Sequence, residues 1–140
     1  MKRFLPLITA GCFTLLFLSS CKKAIEDKKK DLVIDAMTNG VWIVEQYFEG
    51  TNNISGDFLN YEFKFYENGT VTSTKGSETA NGTWSGNVSN YSITSQFPSA
   101  TNPVIKLNGV WHIKDSYWDY VEAEMTTSTG INVLHLRKKP

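Results

Sequence analysis

The fold is decided by one stretch in the first third of the chain, Asn39-Gly40-Val41-Trp42-Ile43-Val44-Glu45-Gln46-Tyr47-Phe48. Its residues alternate with a period of two, which is the period of a β-strand. The alternation predicts one face formed by Trp42, Val44, Gln46 and Phe48, and an opposite face formed by Val41, Ile43, Glu45 and Tyr47. A Gly-x-Trp pattern opens the stretch and returns at Gly82-Thr83-Trp84 and Gly109-Val110-Trp111. We therefore interpret 41–49 as the first strand of a closed antiparallel sheet.

The rest of the chain after this strand is also β-patterned. Aromatic and β-branched residues recur at alternate positions between clusters of Gly, Asn, Asp and Pro. The pattern predicts strands near 41–49, 58–67, 70–75, 80–86, 90–96, 104–114, 117–125 and 131–138. Eight consecutive strands favour an all-β, up-and-down antiparallel barrel, which removes its own edges by closing. Before the barrel, apolar residues at helical spacing up to Asn39-Gly40 predict a short N-terminal helix.

The connections between the strands differ in length. Tight hairpins are expected at Asn68-Gly69, Gly86-Asn87 and Asp115-Ser116, and longer loops near 50–57, 75–80, 97–103 and 126–130. Alternate connections of an antiparallel meander lie at opposite ends. We therefore predict one closed end, called the floor, and one loop-lined end, called the mouth.

The three tryptophans of the repeated pattern are predicted to lie together at the floor. Trp42 opens the first predicted strand, Trp84 closes the fourth, and Trp111 lies in the second half of the sixth. The last strand ends at the same place and brings Arg137 and Lys138 beside Trp42, where a cation can lie over the indole.

With these residues in place, the chain resembles the lipocalins, and especially the small lipocalin-like domains of bacterial lipoproteins. The resemblance covers roughly residues 39–139 and rests on Gly40-Val41-Trp42, eight meandering strands, a long first loop from Gly50 to Asp57 and a basic residue ending the last strand. It implies that a small apolar or amphipathic molecule binds in the cup, and that either Arg137 or Lys138 packs over the tryptophan.

Two alternatives remain open for the barrel interior. A barrel of eight strands can be filled by side chains or can hold one small ligand. If it is hollow, the expected ligand-binding residues toward the mouth are Phe48, Tyr61, Phe97, Ile105, Leu107 and Met125. If it is solid, a protein or glycan is expected to bind either the loops at the mouth or the outer face that bears Trp118 and Tyr120 beside Glu122 and Glu124.

The N-terminal segment carries a lipoprotein signal. A basic start and an apolar run to Leu18 lead into Leu18-Ser19-Ser20-Cys21, which resembles a lipobox whose Cys is lipidated and becomes the new N-terminus. The predicted organisation is a signal peptide at 1–20, a lipidated tether with a short helix at 21–38, and the barrel at 39–140. We expect attachment to the bacterial cell envelope through diacylglycerol and palmitate-type chains, at the outer membrane since Lys22 follows Cys21.

Composition limits the other possibilities. Cleavage before Cys21 would leave 120 of the 140 residues, no unmodified cysteine, and 12 basic against 14 acidic side chains. A net charge of −2 disfavours nucleic-acid binding. His112 and His135 are predicted to point outward from strands separated by a third, which disfavours a shared metal site. We therefore expect no cofactor, no metal and no enzymatic activity, but rather a membrane-anchored ligand carrier or, alternatively, an interaction module.

Overall fold

One helix and a set of short strands make up the described part of the chain. A computed structural model describes residues 17–140, with side chains from Cys21 onward. The helix is α1 (Phe17–Thr38), and the strands are β1 (Trp42–Glu49), β2 (Asn52–Asn53), β3 (Glu62–Phe65), β4 (Thr70–Lys75), β5 (Glu78–Asn87), β6 (Ser92–Gln96), β7 (Gly109–Tyr117), β8 (Tyr120–Thr127) and β9 (Gly130–Lys138). Two 3₁₀ turns, Ser55–Phe58 and Val104–Leu107, lie in the two longest connections.

The strands form a closed barrel. From β3 to β9 each strand pairs antiparallel with the next, and β9 returns to pair with β1, from Trp42 opposite Lys138 to Glu49 opposite Asn132. Leaving out the two-residue β2, the wall contains eight strands. The predicted all-β, eight-stranded up-and-down antiparallel barrel with a short N-terminal helix is confirmed.

The contact between β1 and β3 is a narrow seam. Trp42 opposite Phe63 is the registered pair that joins these two strands. Farther along, β1 pairs instead with β2, and the Tyr47 N–H donates to the Ser55 hydroxyl at 2.9 Å. The 50–61 loop therefore completes the wall where β3 does not reach.

A β-bulge in β1 changes which side chains point inward. Val44 pairs with Leu136 and Gln46 with His135, so Glu45 is an extra residue. Such an insertion shifts the alternation by one position. Tyr47 is consequently buried at 0% exposure, whereas Gln46 is exposed and Phe48 only half-buried. The prediction that Gln46 and Phe48 share the inner face with Trp42 and Val44 is wrong for this reason.

The connections are less asymmetric than predicted. The predicted loops at 75–80 and 126–130 are two-residue turns, Gly76-Ser77 and Ser128-Thr129. Asp115 and Ser116 lie inside β7, which bulges after Ile113, and the turn falls at Trp118-Asp119. The segment 104–107, predicted as strand, is a 3₁₀ turn. The mouth therefore has two long connections, 50–61 and 97–108.

Helix α1 closes the floor. The Met37 side chain is 2% exposed and borders the barrel interior, and its carbonyl oxygen accepts a 2.9 Å hydrogen bond from Trp42 Nε1. Gly40 then turns the chain with φ +105°, which only glycine adopts without strain, and a Cβ there would lie 3.5 Å from Lys138 Cδ. From Cys21 to Lys28 the side chains are exposed apart from Glu26, so the N-terminal half of α1 stands clear of the barrel, whereas Leu32 already borders a recess beside Tyr91.

Candidate functional site

The barrel interior is almost completely filled. A cavity of about 40 Å³ remains, lined by apolar side chains from both ends that include Met37, Phe63, Leu107 and Trp111. This volume exceeds that of a single water but is far below the roughly 300–1,000 Å³ of typical ligand pockets. The buried side chains around it form one continuous core. The cavity that residues 17–140 enclose is therefore much smaller than an apolar ligand of ordinary size.

The six predicted cup residues do not form one site. Phe97 and Leu107 are buried and border the small cavity, at 1% and 5% exposure. Tyr61 is half-buried at the mouth, and Met125 packs against the core beside Gly109. Ile105 is 43% exposed on its 3₁₀ turn, and Phe48 lies outside the inner face.

Two loops plug the mouth from above. Phe58 from the 50–61 loop is 2% exposed and stacks on Tyr47, with ring centroids 5.2 Å apart. From the 97–108 loop, the Lys106 carbonyl accepts a 2.9 Å hydrogen bond from the Tyr47 hydroxyl. Burial raises the pKa of Tyr47 to about 12, so its phenol remains protonated at neutral pH. Tyr47 therefore joins β1 to both plugging loops.

The predicted floor residues divide between the two ends. Trp42 is fully buried at the floor, and Trp84 lies toward it, donating from Nε1 to the Tyr66 carbonyl at 2.9 Å. Trp111 lies instead toward the mouth, because β7 starts only at Gly109 and the indole packs edge-on against Tyr47 at 5.7 Å. The prediction that all three tryptophans lie at the floor is therefore wrong for Trp111.

The basic residue over the floor tryptophan is Lys138. Its Nζ lies 5.3 Å from the centroid of Trp42 and 4.2 Å from that of Trp118, and burial lowers its pKa. Arg137 points to the outside, where it lies 4.7 Å over Tyr120 and pairs with Glu45 at 3.0 Å. The alternative between the two positions is thus resolved in favour of Lys138.

The outer aromatic surface centres on the β7–β8 turn. Tyr117 and Trp118 are 68% and 53% exposed, whereas Tyr120 is half-buried, with its hydroxyl near Glu122 and His135. Tyr117 and Trp118 are called the turn aromatics below. The sequence prediction named Trp118 and Tyr120 and missed Tyr117, although its place next to a turn could have indicated exposure.

Other chemistry is sparse in the part of the chain that the structure describes. Across residues 17–140, no group of three or more His, Cys, Asp or Glu side chains is placed to hold a metal ion. His112 is exposed on β7, and His135 packs edge-on against Tyr120 at 5.7 Å. No helix in these residues is both long and apolar enough to span a bilayer. The Cys21 thiol is free and exposed on α1.

The barrel places the chain in a structural class. Its closed, eight-stranded meander fits a lipocalin-like barrel at the level of overall architecture. A solved structure of a DUF4847 family protein from Bacteroides vulgatus ATCC 8482 is similar, with a TM-score of 0.58 over 77% of this chain and 99% of that chain. The sequence identity is 13%, so the similarity concerns the fold alone. Neither a family model nor a curated protein matches the sequence.

Proposed function

We propose that this protein is an envelope-anchored interaction module whose filled barrel presents the turn aromatics to a partner protein. The observation that carries the proposal is the interior volume of about 40 Å³. A barrel without room for cargo offers its surfaces for recognition. Large aromatic side chains exposed next to one another are characteristic of such surfaces.

The turn aromatics suit a binding role because part of the surface is already held in place. Lys138 lies 4.2 Å below the Trp118 ring, and that lysine in turn contacts the buried Trp42. A side chain fixed before binding loses less conformational entropy when a partner covers it. Asp119 and Arg137 lie beside the turn with opposite charges, as expected for a polar rim.

The anchoring part of the proposal rests on Cys21 and its surroundings. Basic residues, an apolar run and small residues precede Cys21 in the order of a lipoprotein signal. Its thiol is exposed, on the half of α1 that stands clear of the barrel. Because α1 packs at the floor, the turn aromatics lie at the same end of the barrel as the anchor.

Site-specific photocrosslinking of the full chain in its native envelope tests the partner. A photoreactive residue at Tyr117 should give a discrete crosslinked protein, and one at Tyr91 should not. Tyr91 is a matched control because it is 60% exposed on another floor turn. The crosslink should disappear in Trp118→Ala. An unchanged pattern in that variant, or equal crosslinking from Tyr91, would rule out this surface.

Two further measurements test the anchor and the filled interior separately. Incorporation of an alkyne-tagged fatty acid should be lost in Cys21→Ser, and labelling that survives this change would contradict lipidation at Cys21. Native mass spectrometry of the detergent-released protein should show no tightly held apolar molecule. A discrete adduct that is lost on denaturation would favour the ligand carrier instead. It would also mean that the 50–61 and 97–108 loops open to admit the ligand.

A further inference from the structure

A polar recess interrupts the plug at the mouth. It lies between the β4–β5 turn and the 97–108 loop and has a volume of about 220 Å³. We call it the rim pocket, and its lining consists of Tyr61, Ser73, Glu78, Thr79, Ala80, Ser99, Ala100, Thr101 and Val104. One water needs about 10–15 Å³ of such space, so the recess holds several waters. The rim pocket is therefore large enough for one small molecule and too small for a drug-sized one.

Ser73 gives the rim pocket an unmet hydrogen-bonding group. It is 2% exposed and lies opposite Ala80 in the β4–β5 pairing, on the inward face that it shares with Val71. Its hydroxyl oxygen is one of two buried side-chain N or O atoms without a hydrogen-bond partner in residues 21–140. A buried polar group left without a partner is costly. A bound molecule that reaches into the rim pocket can supply the missing partner.

The remaining lining defines the chemistry of that molecule. Ser99 and Thr101, both on the 97–108 loop, carry hydroxyls, which donate and accept hydrogen bonds. Tyr61 adds a half-buried aromatic ring that Lys75 Nζ approaches to 4.8 Å from its centroid. The protein hydroxyls can exchange hydrogen bonds with the hydroxyls of a ligand, and the Tyr61 ring can pack against its C–H groups. A polyhydroxylated ring has both kinds of group.

Other ligand classes fit less well. Neither Lys nor Arg is among the lining residues, and the nearby Lys75 ammonium already lies over the Tyr61 ring, so the lining itself offers an anion no cation. Glu78 is the single carboxylate of the lining, which is too few ligands for a divalent cation. An apolar molecule would leave the Ser73 hydroxyl without a partner.

We propose that the rim pocket binds one small neutral polyhydroxylated molecule of the monosaccharide class, with the Ser73 hydroxyl as its buried partner and Tyr61 as its wall. This site is independent of the turn aromatics, which lie at the opposite end of the barrel. The loss of either site therefore leaves the other intact, and the two proposals can fail separately.

Saturation-transfer NMR and calorimetric titration of the full chain in detergent micelles test the proposal. The probes are glucose, N-acetylglucosamine and myo-inositol at millimolar concentration, with inorganic phosphate as the anionic comparison. At least one polyol should show saturation transfer and a millimolar Kd, and phosphate should show neither. Ser73→Ala should weaken that affinity about fivefold, in line with the loss of one hydrogen bond. Ala80→Leu, which fills the pocket, should abolish binding.

Two controls make the result decisive. Thr72→Ala removes a hydroxyl from the outer face of the same strand and should leave the affinity unchanged. Trp118→Ala should also leave it unchanged, because it alters only the other end. The proposal is overturned if no polyol binds the folded wild-type chain, which would mean that the rim pocket holds water only. It is equally overturned if Ser73→Ala and Ala80→Leu both bind the polyol as the wild type does.

Discussion

The two ends of the barrel are closed by different kinds of structure. At the floor, α1 bonds most of its backbone within the helix and packs Met37 into the barrel. Within the described residues, side chains bond the carbonyls at its C-terminal end alone, where Trp42 Nε1 donates to Met37 and Lys64 Nζ donates to Thr38, both at 2.9 Å.

At the mouth, irregular loops close the barrel. Because loops lack the regular backbone hydrogen bonds of a helix, their N–H and C=O groups need side-chain partners. The Asn108 amide bonds both the N–H and the carbonyl of Phe97, at 2.7 and 3.3 Å, and the Tyr47 hydroxyl bonds Lys106.

This difference indicates where each end is sensitive. A helical plug depends mainly on apolar packing, because most of its backbone groups are bonded within the helix, whereas a loop plug depends more on individual polar side chains. The stability of the floor should therefore respond mainly to changes of side-chain volume, and that of the mouth to changes of both volume and hydrogen bonding. The variants below test that separation, beginning with the largest expected effect.

Trp42→Ala should cause the greatest loss, because it removes a fully buried indole and its bond to Met37. We expect the free energy of unfolding to fall by about 3–5 kcal/mol in urea titrations. Trp118→Ala is the matched control, since that ring is 53% exposed, and should cost less than about 1 kcal/mol. Similar losses in the two variants would contradict the assignment of Trp42 to the floor core.

Phe58→Ala should loosen the mouth while leaving the floor in place. Removal of this 2% exposed ring from its stack on Tyr47 should cost about 3 kcal/mol. Amide hydrogen exchange should accelerate in 50–61 more than in the helix residues 33–38. Leu59→Ala, at a position 67% exposed, should change stability by less than about 0.5 kcal/mol. Equal acceleration at both ends would mean that the two plugs are not separable.

Tyr47→Phe should remove an alkaline dependence of stability. The folded-state pKa of about 12 lies above the unfolded value of 10.0, so the folded chain keeps the phenolic proton longer. The resulting stabilisation is complete below pH 10 and is lost as pH rises toward 12, by an amount on the order of 2 kcal/mol. Urea titrations at several pH values should show this loss in the wild type and not in Tyr47→Phe. Tyr91→Phe, at an exposed site, should retain the wild-type profile.

Lys138→Met should have the smallest effect. It keeps most of the aliphatic stem but removes the cation that lies over Trp42 and Trp118. The expected loss is about 0.5–1 kcal/mol, measured by urea titration at neutral pH. Lys138→Arg should retain most of the stability because a guanidinium also packs over aromatic rings. A loss as large in Lys138→Arg as in Lys138→Met would assign the effect to shape and not to charge.

The barrel itself could be predicted from the sequence because alternation and turn residues are local signals. The β1 bulge could not be predicted in this way. Uninterrupted alternation already gives a plausible strand, and no residue type in the stretch marks Glu45 as the extra residue. The apolar residues of Val104-Ile105-Lys106-Leu107 suit a strand as well as a 3₁₀ turn, so the pattern alone predicts a strand where the structure has a 3₁₀ turn. The ends of β4 and β5 that meet at the Gly76-Ser77 turn consist of polar residues. Polar runs are typical of loops, so the sequence predicts a longer loop there than the structure has.

The state of the barrel interior was harder to predict, because it depends on contacts between residues far apart in the sequence. Phe58 and Phe97 fold back over the interior from separate loops, so the sequence alone left a hollow and a solid barrel equally open. Ser73 did carry a signal, as a hydroxyl at an inward position of a strand. The lipidation of Cys21 and the partner of the turn aromatics remain predictions.

The seam between β1 and β3 has a consequence for self-association. A strand edge whose N–H and C=O groups are unpaired can recruit the strand of another molecule. Here β1 and β3 share one registered pair, and the 50–61 loop covers the rest of the β1 edge through β2 and Ser55. The long first loop therefore protects this edge against edge-to-edge aggregation as well as plugging the mouth, and shortening it should expose the β1 edge and promote self-association through it.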